Sequence, residues 1–435
     1  MTILTDTMFS LLDQKGAFAT TPADPLPTTL FSPGSRAMVR LLKESNELTK
    51  YRILSNQVFD LLHVSSFAEI HDLIHNRERR QAASRRAYGL IGNMFGIHGN
   101  EREIIATVNN YSRTADSVIR YLKSKVLNRY ASHIEMTNEV DATSCPVDLL
   151  LIIFDGRYHA KARFEAKRKL LLMNLAGSID QRERETDIEA KFTHFLHFLN
   201  EHVWLTNAKI GELELVYLLS NHSPEDFRCL DHTLLTRAEG EKIKLRKGQK
   251  LTLLKRRRFM AGGREIPIYV SIRKKAPETK VLKLLRKGEE NPAVAVDDEL
   301  GLMGVLDQLP DVKLFQNHLT RSAIAAKSFM VLEDISDSLT TGLRRHKNIG
   351  SAASTRMLKF FARMGGMRVE FIVHTNTSYL DYMYRRDVAH DEYEVKRIFD
   401  SGTAELLFPP DIYFLDMKKA RDHQIAWFRS QIESC

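Results

Sequence analysis

Apolar positions recur at three- and four-residue spacing over most of the first half of the chain, and at two-residue spacing over much of the second. In residues 36–130, RAMVRLLKESNEL, NQVFDLLHV and DSVIRYLKSKVLNRY carry the helical period, so this stretch reads as helical. Ahead of it, TTPADPLPTTLFSPGS is rich in Pro, Thr and Ser, which predicts an irregular arm over residues 1–35 and a helix start near Ser35. REIIATVNNYSRTADSVIRYLK has the rhythm of two helices about a short polar turn. That rhythm and the basic face RERRQAASRR fit either packed amphipathic helices or a helix pair that reads nucleic acid.

Further along, CPVDLLLIIFDGRYHAKARFEAKRK (145–169) predicts two strands joined at Asp155-Gly156. Helical period returns from residue 187 to about 219, in AKFTHFLHFLNEHVWL. After Ser223-Pro224, EKIKLRKGQKLTLLKRRRF alternates basic residues with Leu and Ile up to a break at Ala261-Gly262-Gly263. It reads as a basic strand, serving either as a solvated edge or as an anion-facing surface. REIPIYVSIRKKAPETKVLKLLRKG predicts a strand over 266–272, a turn at Pro277 and a helix from Glu278 or Thr279. A strand in VDDELGLMGVL and the hairpin RMLKFFARM-GG-MRVEFIVHT follow. Alternation in the last strand puts Val369, Phe371 and Val373 on one face and Glu370, Ile372 and His374 on the other. A carboxylate there is costly to bury unpaired, so Glu370 is either a structural ion-pair partner or a metal-site acid.

Composition narrows the class. A chain of 435 residues, 43% apolar and 27% charged, supports two or three globular domains. Its 64 Lys and Arg against 55 Asp and Glu, a net +9, favour anionic partners such as nucleotides, polyphosphates or nucleic acid. Cys145, Cys229 and Cys435 stand singly, which suggests neither a zinc knuckle nor a disulfide framework and fits a reducing compartment. No apolar run reaches ~18 residues, and MTILTDTMFSLLDQKG lacks a basic flank before an apolar stretch, so a soluble cytoplasmic protein without membrane contact is expected.

Two constellations carry candidate chemistry. Asp148 with Glu165-Ala166-Lys167 resembles the PD-(D/E)xK nuclease signature, in which two acids hold Mg²⁺ and the lysine polarises water or phosphate. A hairpin with a snorkelling basic edge explains the same residues. Arg273, Lys275, Thr279 and Lys283 fall at the end of one strand and on the helix beyond it, where cations can converge on a triphosphate.

The second constellation resembles the synthetase domain of the RelA/SpoT family, which makes (p)ppGpp. That family's R-x-K-x₃-S-x₃-K motif is similar to Arg273, Lys275, Thr279 and Lys283, with threonine for serine. Its D-x-x-G-x-R strand looks like Asp298, Gly301 and Met303, and its V-E-I-Q-I-R-T strand like Val369 to Thr375. Its A-H-x-x-Y is similar to Ala389, His390 and Tyr393. The match spans residues 265–393. It implies an α+β fold: a mixed-sheet, nucleotidyltransferase-like synthetase domain over residues 186–435, preceded by a mainly helical region over 36–185.

The resemblance further implies an ATP-dependent pyrophosphokinase. Asp298 and Glu370 would hold Mg²⁺, with Glu370 also the candidate base, while Arg273, Lys275, Thr279 and Lys283 bind ATP. Arg344, Arg345, Lys347, His390 and Tyr393 would contact the acceptor, a nucleotide (GDP, GTP, ADP or ATP) or an RNA such as tRNA. The bland readings are a capping acid at Asp298, a packed helix face at His390 and Tyr393, and solvated loop charge at Arg344, Arg345 and Lys347. Departures fall at Met303, Ile372 and His374, and at NIGSAAS (348–354), where the family places a guanine-stacking tyrosine. Either a different acceptor or a non-catalytic nucleotide- or nucleic-acid-binding regulator is therefore expected. His71-Asp72 alone supports no alarmone hydrolase.

Overall fold

The computed structural model describes residue 44 and residues 56–205, 214–289, 291–297, 299–341 and 351–434. Five helices are treated first: α1 Phe67–His75, α2 Arg77–Met94, α3 Glu101–Tyr121, α4 Pro146–Phe154 and α5 Ala160–Thr186. Side chains set their starts. Ser66 accepts from the Glu69 N–H, Asn76 from the Arg79 N–H, and Asn100 forms a capping box with Glu103.

Two expectations fail in this region. The two-helix rhythm is one continuous helix, α3, because Val108, Tyr111, Ser112, Ala115, Val118 and Ile119 keep a buried stripe running through the polar stretch. No helix-turn-helix forms there. The two strands expected over 145–169 are the helices α4 and α5. Pro146 occupies the first turn of α4, where its missing N–H costs nothing, and the run of Leu and Ile is buried on every side. Asp187, at φ 49°, ends α5.

Next come α6 Ile188–Phe198, β1 Glu214–His222, β2 Cys229–Thr236, β3 Gln249–Ala261 and β4 Arg264–Lys274. Residues 214–219, expected to continue a helix, belong to β1, whose burial alternates along the strand. Then follow α7 Pro277–Lys287, β5 Leu300–Leu306, α8 Leu309–Ala325, β6 Val331–Asp337, β7 Leu358–Met364, β8 Met367–Thr375, α9 Asn376–Tyr384, α10 His390–Asp400 and α11 Met417–Glu433. The protein is thus mixed α and β, with a helical region and one mixed sheet. Among the described residues no helix is long and apolar enough to cross a membrane.

The chain forms two compact units. The first comprises Met1–Glu185 together with Ala276–Ala295 and Ser401–Met417. In it α7 buries Val281, Leu282, Leu284 and Leu285 and packs on α3, while Leu407, Phe408 and Tyr413 close around α5. Lys280, buried on α7, pairs with Glu183 of α5.

The second unit comprises Thr186–Lys275, Val296–Asp400 and Lys418–Cys435, built on an eight-stranded sheet of order β2-β1-β3-β4-β5-β8-β7-β6. Only β5 and β8 run parallel; the other neighbours are antiparallel. One face buries Phe259, Leu302, Phe360, Phe371 and Val373 against Phe195, Trp204 and Phe315 of α6, the turn after it and α8. Phe360 and Phe371 stack at 5.0 Å, a contact worth ~1 kcal/mol beyond its buried area. The opposite face packs Val216, Leu218, Leu254, Tyr269 and Val305 against Leu380 of α9. The β7–β8 hairpin turns through Gly365 and Gly366 at φ 55° and 75°, the positive dihedrals a two-residue turn of this hand requires.

Candidate active site on one face of the sheet

Register aligns the chemistry. Arg273 on β4 pairs with Gly301 on β5, Gly301 with Glu370 on β8, and Glu370 with Phe361 on β7, so these four share one row and one face. The expected alternation holds: Val369, Phe371 and Val373 enter the core, and Glu370 takes the other face. Glu370 is 6% exposed. Arg273 Nη2 donates to its Oε2 at 2.9 Å, and Lys359 Nζ lies 2.8 Å from its Oε1.

Gly301 makes the first of these contacts possible. A Cβ there would sit 3.1 Å from Arg273 Nε and 3.5 Å from the Glu370 carbonyl oxygen. Without it, the guanidinium lies across β5 and reaches a carboxylate two strands away.

Burial pushes the Glu370 carboxyl up, but the fields of Lys359, Lys275 and Arg273 outweigh it and hold the group at about 2. Glu370 is therefore an anion held among the cations of Arg273, Lys275 and Lys359. Lys275 joins the strand register through its N–H, which donates to the Glu299 carbonyl.

Beside this row His374, Tyr379, Tyr382 and His390 form a ladder. His374 lies 5.1 Å from Tyr382, and Tyr382 stacks on His390 at 5.1 Å. Burial lowers His390 and raises Tyr382, and the charge of Arg273 bears on both. Arg397 covers the Tyr393 ring at 5.1 Å. His390 and Tyr393 thus sit on α10, with His390 drawn into the ladder.

His374 is fully buried, with Nδ1 at 3.1 Å from the Arg356 carbonyl and Nε2 without a hydrogen-bond partner among the described residues. Burial pushes its pKa down to about 4, against a smaller upward pull from that carbonyl. A base with a lowered folded pKa leaves the unfolded chain binding more protons, so stability is lost as pH falls from ~6.5 toward 4. His374 should contribute about 2 kcal/mol of that loss by pH 5. Urea unfolding at pH 7 and pH 5 checks it: His374→Gln should flatten the acid slope, and a slope parallel to wild type would refute the assignment.

The remaining sequence-derived candidates fall elsewhere. Thr279 and Lys283 stand on α7, in the first unit, where the Thr279 hydroxyl donates to the Ala276 carbonyl at 2.7 Å and Lys283 is half-buried. Asp298, Arg344, Arg345 and Lys347 lie outside the described residues. Asp148, on α4, is 3.6 Å from Arg80, whereas Glu165 is fully enclosed on α5 by Thr137 and Tyr413. Lys167 is buried on α5. With helices in place of the strand pair, these three do not form the hairpin site their spacing suggested.

Lys359 was not anticipated, yet a signal for it existed. A two-residue Gly-Gly hairpin fixes the β7–β8 register and makes Lys359 the diagonal neighbour of Glu370. Among the described residues no group of three His, Cys, Asp or Glu side chains is set to hold a metal. Mg²⁺ commonly takes only one or two carboxylates and completes its shell with phosphate oxygens and water, so the donor chemistry of Glu370 fits that ion alongside a polyphosphate.

The chain matches no protein-family model, no curated protein and no solved structure.

Proposed function

We propose that the second unit transfers the β,γ-pyrophosphate of ATP to the 3′-hydroxyl of a nucleotide (GDP, GTP, ADP or ATP) or of an RNA such as tRNA, on a sheet of the nucleotidyltransferase-like synthetase type. The observation that carries this reading is the buried, ionised carboxylate of Glu370 among Arg273, Lys275 and Lys359. Cations fixed on a rigid sheet grip and neutralise a polyphosphate without reorganising. The resemblance of Arg273, Lys275, Gly301 and Glu370 to the synthetase motifs adds to it.

In the reaction the acceptor oxygen bonds to the β-phosphorus, the bond from that phosphorus to the α,β-bridging oxygen breaks, and AMP leaves. The hydroxyl proton passes to Glu370. At about 2 the free carboxylate is a weak base. A bound polyphosphate engages the same cations, removes part of the field that holds the carboxyl down, and raises its pKa toward a working value. Glu370, with Asp298 as the second acid, would hold Mg²⁺, which when bound neutralises charge on the phosphates.

One observation favours a second reading, a non-catalytic nucleotide-binding regulator. Both Glu370 oxygens already meet cations, as in a structural ion pair, and Met303 stands where the synthetases carry an arginine. Thin-layer chromatography of the full-length protein with γ-labelled ATP, Mg²⁺ and, separately, GDP, GTP, ADP, ATP and tRNA decides between them. Label on an acceptor is the expected result. ATP binding with no acceptor labelled would favour the regulator.

A further inference from the structure

The sheet is forked beside this site. β3 and β4 pair from Ala261↔Arg264 to Arg256↔Tyr269 and then part, although β3 stays paired with β1 back to Gln249 and β4 with β5 out to Lys274. Between the arms is a cavity of about 370 Å³. That size falls within the ~300–1,000 Å³ of small-molecule sites.

The walls of the fork are main chain. The Gly248 carbonyl accepts from His222, on the β1 side, so alternation turns the N–H and C=O of Leu251, Leu253 and Lys255 toward β4. Lys275 donates to Glu299, on the β5 side, so Val270 and Ile272 turn theirs toward β3. Two strand edges thus face one another across the cavity with no strand of the described residues between them. Leu253, Val270, Ile272, Met303 and Tyr379 line the space, with Ser271. Lys255 and Arg257 line it as well.

A ligand that uses these walls needs flat apolar faces and a polar edge with donor and acceptor side by side, which a strand edge offers through each inward-facing residue. A purine has that form, and an aliphatic ligand would leave the edges unsatisfied. Ser271 precedes Arg273 by two residues, roughly 7 Å along the strand, so a base in the fork leaves its phosphates near the cation ring. We infer that the fork seats the purine base of a nucleotide whose phosphates rest on Arg273, Lys275 and Lys359. This rests on the phosphate-binding reading of that ring.

Calorimetric titration of the full-length protein with ATP, GTP, UTP and inorganic tripolyphosphate tests it. ATP or GTP should bind at least tenfold more tightly than UTP and tripolyphosphate. Leu253→Trp, which fills the fork from an exposed position, should erase that excess and leave tripolyphosphate binding unchanged. Val270→Pro, which removes an inward N–H while sparing the β4–β5 ladder, should do the same, with a thermal melt reporting whether each variant is folded. Absence of a purine excess, or its persistence in a folded Leu253→Trp protein, overturns the assignment. Lys359→Ala should weaken every ligand, tripolyphosphate included; indifference of tripolyphosphate to that change would overturn the phosphate reading and the fork assignment with it.

Discussion

Glu370→Gln is expected to bind Mg²⁺-free ATP at least as well as wild type and, with Mg²⁺ present, to lose label transfer by roughly 10³-fold, within the range for removal of a general base. The two halves of that result have separate causes. Glutamine keeps the shape of the side chain, and removing its charge leaves Arg273, Lys275 and Lys359 freer to grip phosphate. It cannot accept the hydroxyl proton. A regulator that uses Glu370 only to space its cations would show the binding effect with no transfer to lose. The variant should also be less stable at neutral pH. The lowered carboxyl gives the wild type a contribution that is full above ~4.5 and lost as pH falls toward 2, which the amide cannot supply. Binding and transfer measured on protein shown to be folded separate these effects. Loss of Mg²⁺-free ATP binding in a folded Glu370→Gln protein would sink the catalytic assignment.

Glu165→Ala should cost about 3–5 kcal/mol, the range for breaking a buried ion pair, and lower the melting midpoint by on the order of 10 °C. Glu165 accepts from the Thr137 N–H and hydroxyl, both at 2.8 Å, and from the Tyr413 hydroxyl at 3.0 Å. Arg168 lies 3.9 Å away, buried against Phe408 and donating to the Leu407 carbonyl. Alanine strands that guanidinium and orphans the Thr137 amide. The residue that sequence spacing offered as a nuclease acid thus acts as a clasp within the first unit. Calorimetric melting of Glu165→Ala, Arg168→Met and the double variant checks this: coupling above ~1 kcal/mol supports the clasp. A neutral Glu165→Ala would remove it.

β4, β5, β7 and β8 are readable in the sequence because their periods are simple, whereas β1 reads as the tail of a helix and β2 and β6 carry no clear strand signal. Alternation in β8 separates Glu370 from Val369 and Phe371, Pro277 marks the start of α7, and Gly365-Gly366 marks a hairpin. The row that assembles Arg273, Gly301 and Glu370 was not readable, because β4, β5 and β8 meet through pairings far apart in sequence. α4 was misread for a local reason. PVDLLLIIF is apolar throughout, and such a run has no period to distinguish a buried helix from a buried strand. Pro146 was the usable sign, since it suits a helix's first turn and spoils a central strand. The turn imagined within α3 came from polarity alone, and the three- and four-residue spacing of Val108, Tyr111 and Ala115 outweighed it.

The threading of the chain has a consequence for its synthesis. The first unit needs Ala276–Ala295, made after four of the eight strands, and Ser401–Met417, made after all of them. Emerging from a ribosome, residues 56–185 therefore wait with the partners of Val281, Leu284, Leu407 and Phe408 still uncovered, and their core closes only once translation has passed residue 417. The two units cannot be inherited or exchanged as consecutive cassettes, and a fragment cut at residue 185 leaves apolar surface exposed on both pieces.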